Sequence, residues 1–316
     1  SVANLDNLWS NLQSHDVHRV GIRTILKGLL KLFASFFHSG LSEGKPLSLL
    51  DNEPLYQLLL KHVDIARLDD MINADQLHAL CISALGYSSG HNISFIQGHS
   101  SIKGWTSSRR SGVKTTLSHN HIMASAALPA IFPSVRINRE YFGDGALRQT
   151  APLSSALNLG ADKLFVIGVS GNTTQPYERE KTIHSPSIAQ VLSQLLNSAF
   201  IDSMDEDVAM VKRFNSFSEA LTKEKQRELN VNTVGVLVIE PTVKFDELAG
   251  EYIQNLPRSM RGMLKIIGAN PASGGSSLAS YILFEREYCR ALIKGGYDDA
   301  MEQSEKIREF IGSCII

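Results

Sequence analysis

Between residues 80 and 169, short apolar runs of strand character alternate with helix-like stretches, and that alternation constrains the chain to an α/β sheet. Leu80-Cys81-Ile82-Ser83-Ala84-Leu85 reads as a strand, Gly86-Tyr87-Ser88-Ser89-Gly90 as a turn, and Ile93-Ser94-Phe95-Ile96 as the returning strand. His121 to Ala127 follows as a helical segment, stopped by Pro129 and Pro133. Val135-Arg136-Ile137 and Tyr141-Phe142 form a short hairpin pattern that runs into Gly143-Asp144-Gly145. A helix from about Pro152 to Leu159 should end at Gly160, where a left-handed cap is natural. Leu164 to Val169 is a continuous apolar run, the mark of a strand buried on both faces.

Outside that block helical patterns dominate. Leu5, Leu8 and Leu12 space a short helix, and Pro54 sits where a first turn favours it, ahead of Leu55 to Leu60. Residues 25–41 are the most apolar stretch, rich in Leu and Phe with Lys27 and Lys31 between them. Such a helix is either buried or lies in the surface of a bilayer, and burial is the favoured expectation. Beyond Thr173 a polar linker leads into helices over 188–204 and 208–229, one strand over 234–239, and helices again over 276–311. The expected division is a core over residues 1–171 and a mostly helical region over 172–316.

The chain has 316 residues, 43% of them hydrophobic, enough for a sizeable core. A net charge of −1 excludes a broadly basic nucleic-acid-binding coat. Cys81, Cys289 and Cys314 are too few and too scattered for a disulfide framework or a four-ligand zinc site. No apolar stretch reaches about 18 residues, so a membrane-spanning helix is not expected. The expected location is cytoplasmic or peripheral to a membrane, with secretion the remaining alternative.

Several motifs compete as reactive sites. Gly86 to Gly90 spells the G-x-S-x-G of a nucleophile elbow, but an elbow turns from strand into helix, and a strand pattern follows Gly90. Ser88 is therefore expected in a hairpin turn. Ser170, in Gly168-Val169-Ser170-Gly171, follows a strand with nothing helical after it, and Ser125 lies inside a helical pattern. His119 and His121 have no neighbouring cysteine or carboxylate to complete a metal set, and a loop before a helix explains them. Gly143-Asp144-Gly145 reads first as a tight turn, because both glycines allow positive φ; its carboxylate at a sheet rim could also serve as a general base.

Three blocks together resemble the patatin-like phospholipase family. Residues 121–133, HIMASAALPAIFP, resemble its ASxxxPxxFP segment, and Phe142-Gly143-Asp144-Gly145-Ala146 its aspartate-bearing DG(A/G) motif. Residues 147–163 resemble the P-x-x-A-x-x-x-G-A-D helix and the strand after it, in the same order and at the same spacing. The resemblance implies a three-layer α/β/α sandwich, incomplete at its N-terminus, with a helical C-terminal extension. It further implies hydrolysis of lipid acyl esters by a Ser–Asp dyad with no cofactor and no metal. Asp144 would be the base, Gly143 and Gly145 its motif neighbours, and a phospholipid or other lipid ester the substrate. Contact of residues 25–41 with a membrane is the partner call that their own composition allows. The family's glycine-rich oxyanion loop and its elbow precede the matched blocks, so the nucleophile is expected upstream of Ser1 and residues 1–316 alone are expected to be inactive. The alternative is a non-catalytic membrane- or protein-interaction scaffold on the same fold.

Overall fold

The computed structural model describes residues 1–37, 46, 48–149, 151–169, 185, 187–200, 202–229, 232–269 and 276–312. The expected motif serine Ser170 lies outside them. Contacts divide the chain into two compact units. One comprises Ser14–Leu159 with Pro257–Met260; the other comprises Ser1–Gln13, Gly160–Leu256 and Arg261–Ile316.

The chain opens with α1 (Val2–Ser10), the single turn α2 (Ser14–Val17) and α3 (Ile22–Phe37), followed by α4 (Glu53–His62) and α5 (Arg67–Asn73). Pro54 occupies the first turn of α4, where its missing N–H has no partner to lose. The sheet then begins with β1 (Ala79–Gly86), β2 (Asn92–Gly98), β3 (Trp105–Ser107) and β4 (Arg110–Lys114). α6 (His119–Ser125) precedes the hairpin of β5 (Val135–Ile137) and β6 (Glu140–Asp144), and α7 (Ser154–Asn158) closes the segment.

These six strands form one mixed sheet in the order β3-β4-β2-β1-β6-β5. β2 runs parallel to β4 and antiparallel to β1, and β1 runs antiparallel to β6. Period-two alternation sorts the two faces. Leu80, Ile82 and Ala84 of β1 share one face with Phe95 of β2 and Phe142 of β6, and α5 and α6 cover it through Leu68 and Ala124. The opposite face mixes apolar and polar residues, with Cys81 opposite Ile96 and Leu85 opposite Asn92. Ser83 faces Ser94 across the β1–β2 pair, and Ser94 Oγ lies 2.9 Å from Ser155 Oγ of α7. Arg110 donates to Ser154 Oγ at 2.9 Å, fastening the same helix to β4. Helix, sheet and helix make the expected three layers of an α/β fold.

The second unit holds β7 (Lys163–Ile167) and β8 (Gly235–Ile239), paired in parallel as a separate two-stranded sheet. The expectation of a strand buried on both faces fails here. Leu164 and Val166 are buried, but Phe165 is 43% and Ile167 70% exposed. An unbroken apolar run reports hydrophobicity on both faces; it does not supply a neighbour for each.

Helices α8 (Ile188–Phe200), α9 (Asp202–Glu219) and α10 (Lys223–Glu228) lie between the two strands. The expected pair of helices is thus three, because Thr222 caps α10 by accepting from the Lys225 N–H. Asn215 of α9 fixes the approach to β8, its amide bonding both the N–H and the carbonyl of Val234. After β8 come α11 (Phe245–Tyr252), α12 (Arg258–Ile266), α13 (Ser276–Ser280), α14 (Arg286–Glu302) and α15 (Ser304–Gly312). Asp299 of α14 is buried and accepts from both the N–H and the hydroxyl of Thr242.

Over residues 22–30 of α3 the expectation of burial holds on one side of the helix only, and residues 38–41 of the expected stretch lie outside the described residues. Ile25 and Leu29 are buried, while Ile22, Leu26 and Leu30 are exposed. No helix among the described residues is long and apolar enough to cross a membrane.

Candidate active site

Asp144 is the last residue of β6 and the N-cap of a 3-10 turn over Gly145–Arg148. The strand brings it there for local reasons. Asn138, in the left-handed region at φ 54°, closes the β5–β6 hairpin, and Phe142 anchors β6 by packing edge-on against Phe95 at 5.3 Å. Alternation then sets Asp144 on the Phe142 side of the strand, where it is only 8% exposed. Its backbone N–H donates to the Ala127 carbonyl just after α6, and its Oδ1 accepts from the Ala146 N–H at 2.9 Å. Burial pushes the Asp144 carboxyl up from 3.8 to about 6, against the smaller opposing pull of the Ala146 N–H.

The two flanking glycines are not there for positive φ. The described glycines with positive φ are Gly90, Gly160 and Gly268. Gly143 and Gly145 instead permit close approach. A Cβ on Gly145 would lie 2.5 Å from the Ser83 carbonyl oxygen of β1, and one on Gly143 would collide with the Tyr87 ring. The tight turn expected from sequence is therefore a strand end laid hard against its neighbours. Gly160, by contrast, takes the expected left-handed conformation at φ 94° after α7.

Two residues that the sequence did not single out complete the surroundings. Asn92 of β2 is buried and donates from its amide to the Gly145 carbonyl at 2.6 Å, pinning the segment after the aspartate. The Tyr87 hydroxyl is pushed up by burial and further by the negative charge of Asp144. Their signals lay on other strands. Only the pairing of β1 with β2 and β6 brings them to the aspartate.

The rival motifs fall elsewhere. Gly86 to Gly90 is the turn of the β1–β2 hairpin, with Gly90 at φ 64° and Ser88 exposed. The Glu140 carboxylate accepts from the Ser89 N–H at 2.6 Å, so the turn is tied to the start of β6 and presents no helix terminus to an oxyanion. His119 and His121 form the first turn of α6 rather than a loop before it. His119 Nε2 lies 2.8 Å from the Val63 carbonyl oxygen. His121 is buried edge-on against Phe95, and burial lowers its pKa. Its Nδ1 accepts from the Ser118 N–H, closing a capping box.

A mixed sheet between helical layers, with a shielded carboxylate at the end of an inner strand, defines the domain by fold. Its family follows from sequence: residues 4–157, a little under half of the chain, match the model of the patatin-like phospholipase family. The match is to a family of phospholipases and covers this domain alone. Neither the curated proteins nor the solved structures provide a match.

Proposed function

We propose that this chain carries the base-bearing part of a lipid acyl hydrolase of phospholipase A or lysophospholipase type. Asp144 works there with a serine contributed by residues upstream of Ser1. One observation carries the reading: the Asp144 carboxylate is shielded from water at the end of β6, and that burial pushes its pKa up to about 6. A general base is most effective when its pKa lies near the operating pH, where it is ionised yet still binds a proton well.

The chemistry follows from that position. The carboxylate takes the proton of the serine hydroxyl as the oxygen attacks the acyl carbonyl, and the tetrahedral intermediate collapses to an acyl-enzyme. The expelled alkoxide leaves with that proton. Water then attacks the acyl-enzyme, giving a proton to Asp144, and the serine recovers one as the fatty acid departs. The Ala146 N–H holds Oδ1, which leaves Oδ2 to exchange the proton. Asn92 and the close Ser83 carbonyl hold Gly145 in place, so the carboxylate keeps one orientation through the cycle.

A chain extended upstream to include the nucleophile should hydrolyse a p-nitrophenyl acyl ester, while residues 1–316 alone should not. Asp144→Asn in the extended chain should reduce turnover by about 10²- to 10⁴-fold with folding intact. Turnover should rise with pH through about 6 as Asp144 ionises. Undiminished turnover in the variant removes Asp144 from the mechanism. An extended chain that binds lipid and hydrolyses nothing is instead a non-catalytic scaffold.

A further inference from the structure

We propose that α3 docks the protein on an anionic lipid surface, lying in the plane of the head groups with Ile22, Leu26 and Leu30 inserted. The inference rests on the reading that the substrate is a lipid, and it names the surface on which that substrate is met.

Three rows of residues run along the described part of this helix. Ile25, Gly28 and Leu29 face inward, and a Cβ on Gly28 would lie 2.5 Å from the Leu49 carbonyl oxygen. That contact fixes which side of the helix is buried. Ile22, Leu26 and Leu30, at i, i+4 and i+8, are 70%, 55% and 61% exposed. Arg23 and Lys27 are exposed as well, and the sequence spacing continues their row to Lys31. At about 100° per residue the three rows occupy successive sectors of the helix: buried, exposed apolar, then basic.

Charge selects the occupant. The sequence of α3 contains three cations and no acidic residue, although the chain as a whole is nearly neutral. A further segment of protein could cover an apolar row. A row of cations running beside it matches the phosphate-rich boundary of a bilayer, where acyl chains meet negatively charged head groups.

The test is co-sedimentation of residues 1–316 with vesicles of ether-linked lipids. These carry the head groups but no ester, so binding is read independently of any hydrolysis. Binding is expected to vesicles of equal parts phosphatidylcholine and phosphatidylglycerol, and to weaken with added salt. Binding should fall at least about tenfold on phosphatidylcholine alone. The triple variant Ile22→Ser, Leu26→Ser, Leu30→Ser should lose sedimentation with unchanged far-ultraviolet circular dichroism. Arg23→Gln with Lys27→Gln should weaken it by about tenfold or more, since each cation near the surface is worth about fivefold.

Equal binding of the serine triple and the wild type overturns the proposal, as does equal binding to both vesicle types. Self-association that the serine triple abolishes, without vesicle binding by the wild type, assigns the row to a second copy and likewise overturns it. Ester hydrolysis by the extended chain without vesicle binding would end the docking inference and leave the hydrolase reading standing.

Discussion

Two glycine-bracketed segments meet in the six-stranded sheet, the Tyr87 ring of one lying against Gly143 of the other, and they use glycine differently. In Gly86 to Gly90 the last glycine supplies a left-handed turn that ends β1 and starts β2, and the serines between are exposed to water. In Gly143-Asp144-Gly145 the backbone is ordinary, and the missing side chains let β6 press against β1 and Tyr87. The first segment turns the chain outward. The second buries a carboxylate at a strand end and raises its pKa. The same bracketing by glycine therefore goes with opposite surroundings; the backbone decides whether the residue between is shielded and shifted in pKa.

The widest separation between the two segments should appear in turnover. In an extended, active chain Asp144→Asn should cost about 10²- to 10⁴-fold, as argued above, and the Gly86–Gly90 serines nothing measurable. Stability should separate them next. Gly145→Ala forces a methyl against a backbone carbonyl in the middle of a sheet and should destabilise by about 3 kcal/mol. Gly90→Ala strains a turn at φ 64° and meets only the movable end of the Arg148 side chain, so it should cost about 1 kcal/mol. Urea midpoints of the two variants compare them directly; a larger loss at Gly90 reverses the assignment of close approach to one segment and turn geometry to the other.

The same carboxylate should govern stability against pH. Its pKa is raised on folding, so the native state holds the proton more tightly, and the stability this gives is fully present below about 3.8. That stability is lost as pH rises through about 6, a change of up to about 3 kcal/mol for two units at about 1.4 kcal/mol each. Asp144→Asn, which carries no charge to desolvate, should flatten this part of the profile, and above pH 6 the variant should be the more stable protein. A gain in stability joined to a loss of turnover is what a shielded base predicts. Parallel profiles for the two proteins would show that the carboxylate carries no desolvation cost.

Much of this contrast was legible in the chain, and the remainder was not for reasons of distance. The β1–β2 hairpin, the β5–β6 hairpin and the cap at Gly160 are local. Turn residues and alternation within about a dozen positions specify them, and the structure has them all. Asp144 was singled out through its motif. Its environment was not, because Asn92 and Ser83 reach Gly145 only through strand pairings separated by 50 or so residues. Likewise Leu164 to Ile167 announced a strand, but its partner β8 begins at Gly235, and nothing in an apolar run says how many neighbours it will have. α3 shows the same limit. Its composition suits burial and a lipid surface alike, and only the burial of Ile25 and Leu29 with the contact of Gly28 on Leu49 reveals which side faces inward.

Smaller effects sharpen the comparison. Asn92→Ala removes the amide that holds the Gly145 carbonyl and leaves that carbonyl short of a partner in a buried place, so a loss of about 2 kcal/mol is expected. On the proposed function the loss should be accompanied by a fall in turnover, because Asn92 positions the segment that follows Asp144. Thermal unfolding together with a rate on the extended chain reads both, and a change in stability alone would make Asn92 purely structural.

The smallest expected effect is at Ser88. Its side chain is exposed, and the hydrogen bond that ties the turn to β6 runs from the neighbouring Ser89 N–H to Glu140. Ser88→Ala should therefore shift stability by less than about 0.5 kcal/mol and leave ester hydrolysis by the extended chain unchanged. Because Ser88 has the motif spelling and Asp144 the shielded position, the pair of substitutions sets spelling against environment in one assay. If Ser88→Ala removed turnover while Asp144→Asn kept it, the hairpin would be the reactive segment and the strand end its support.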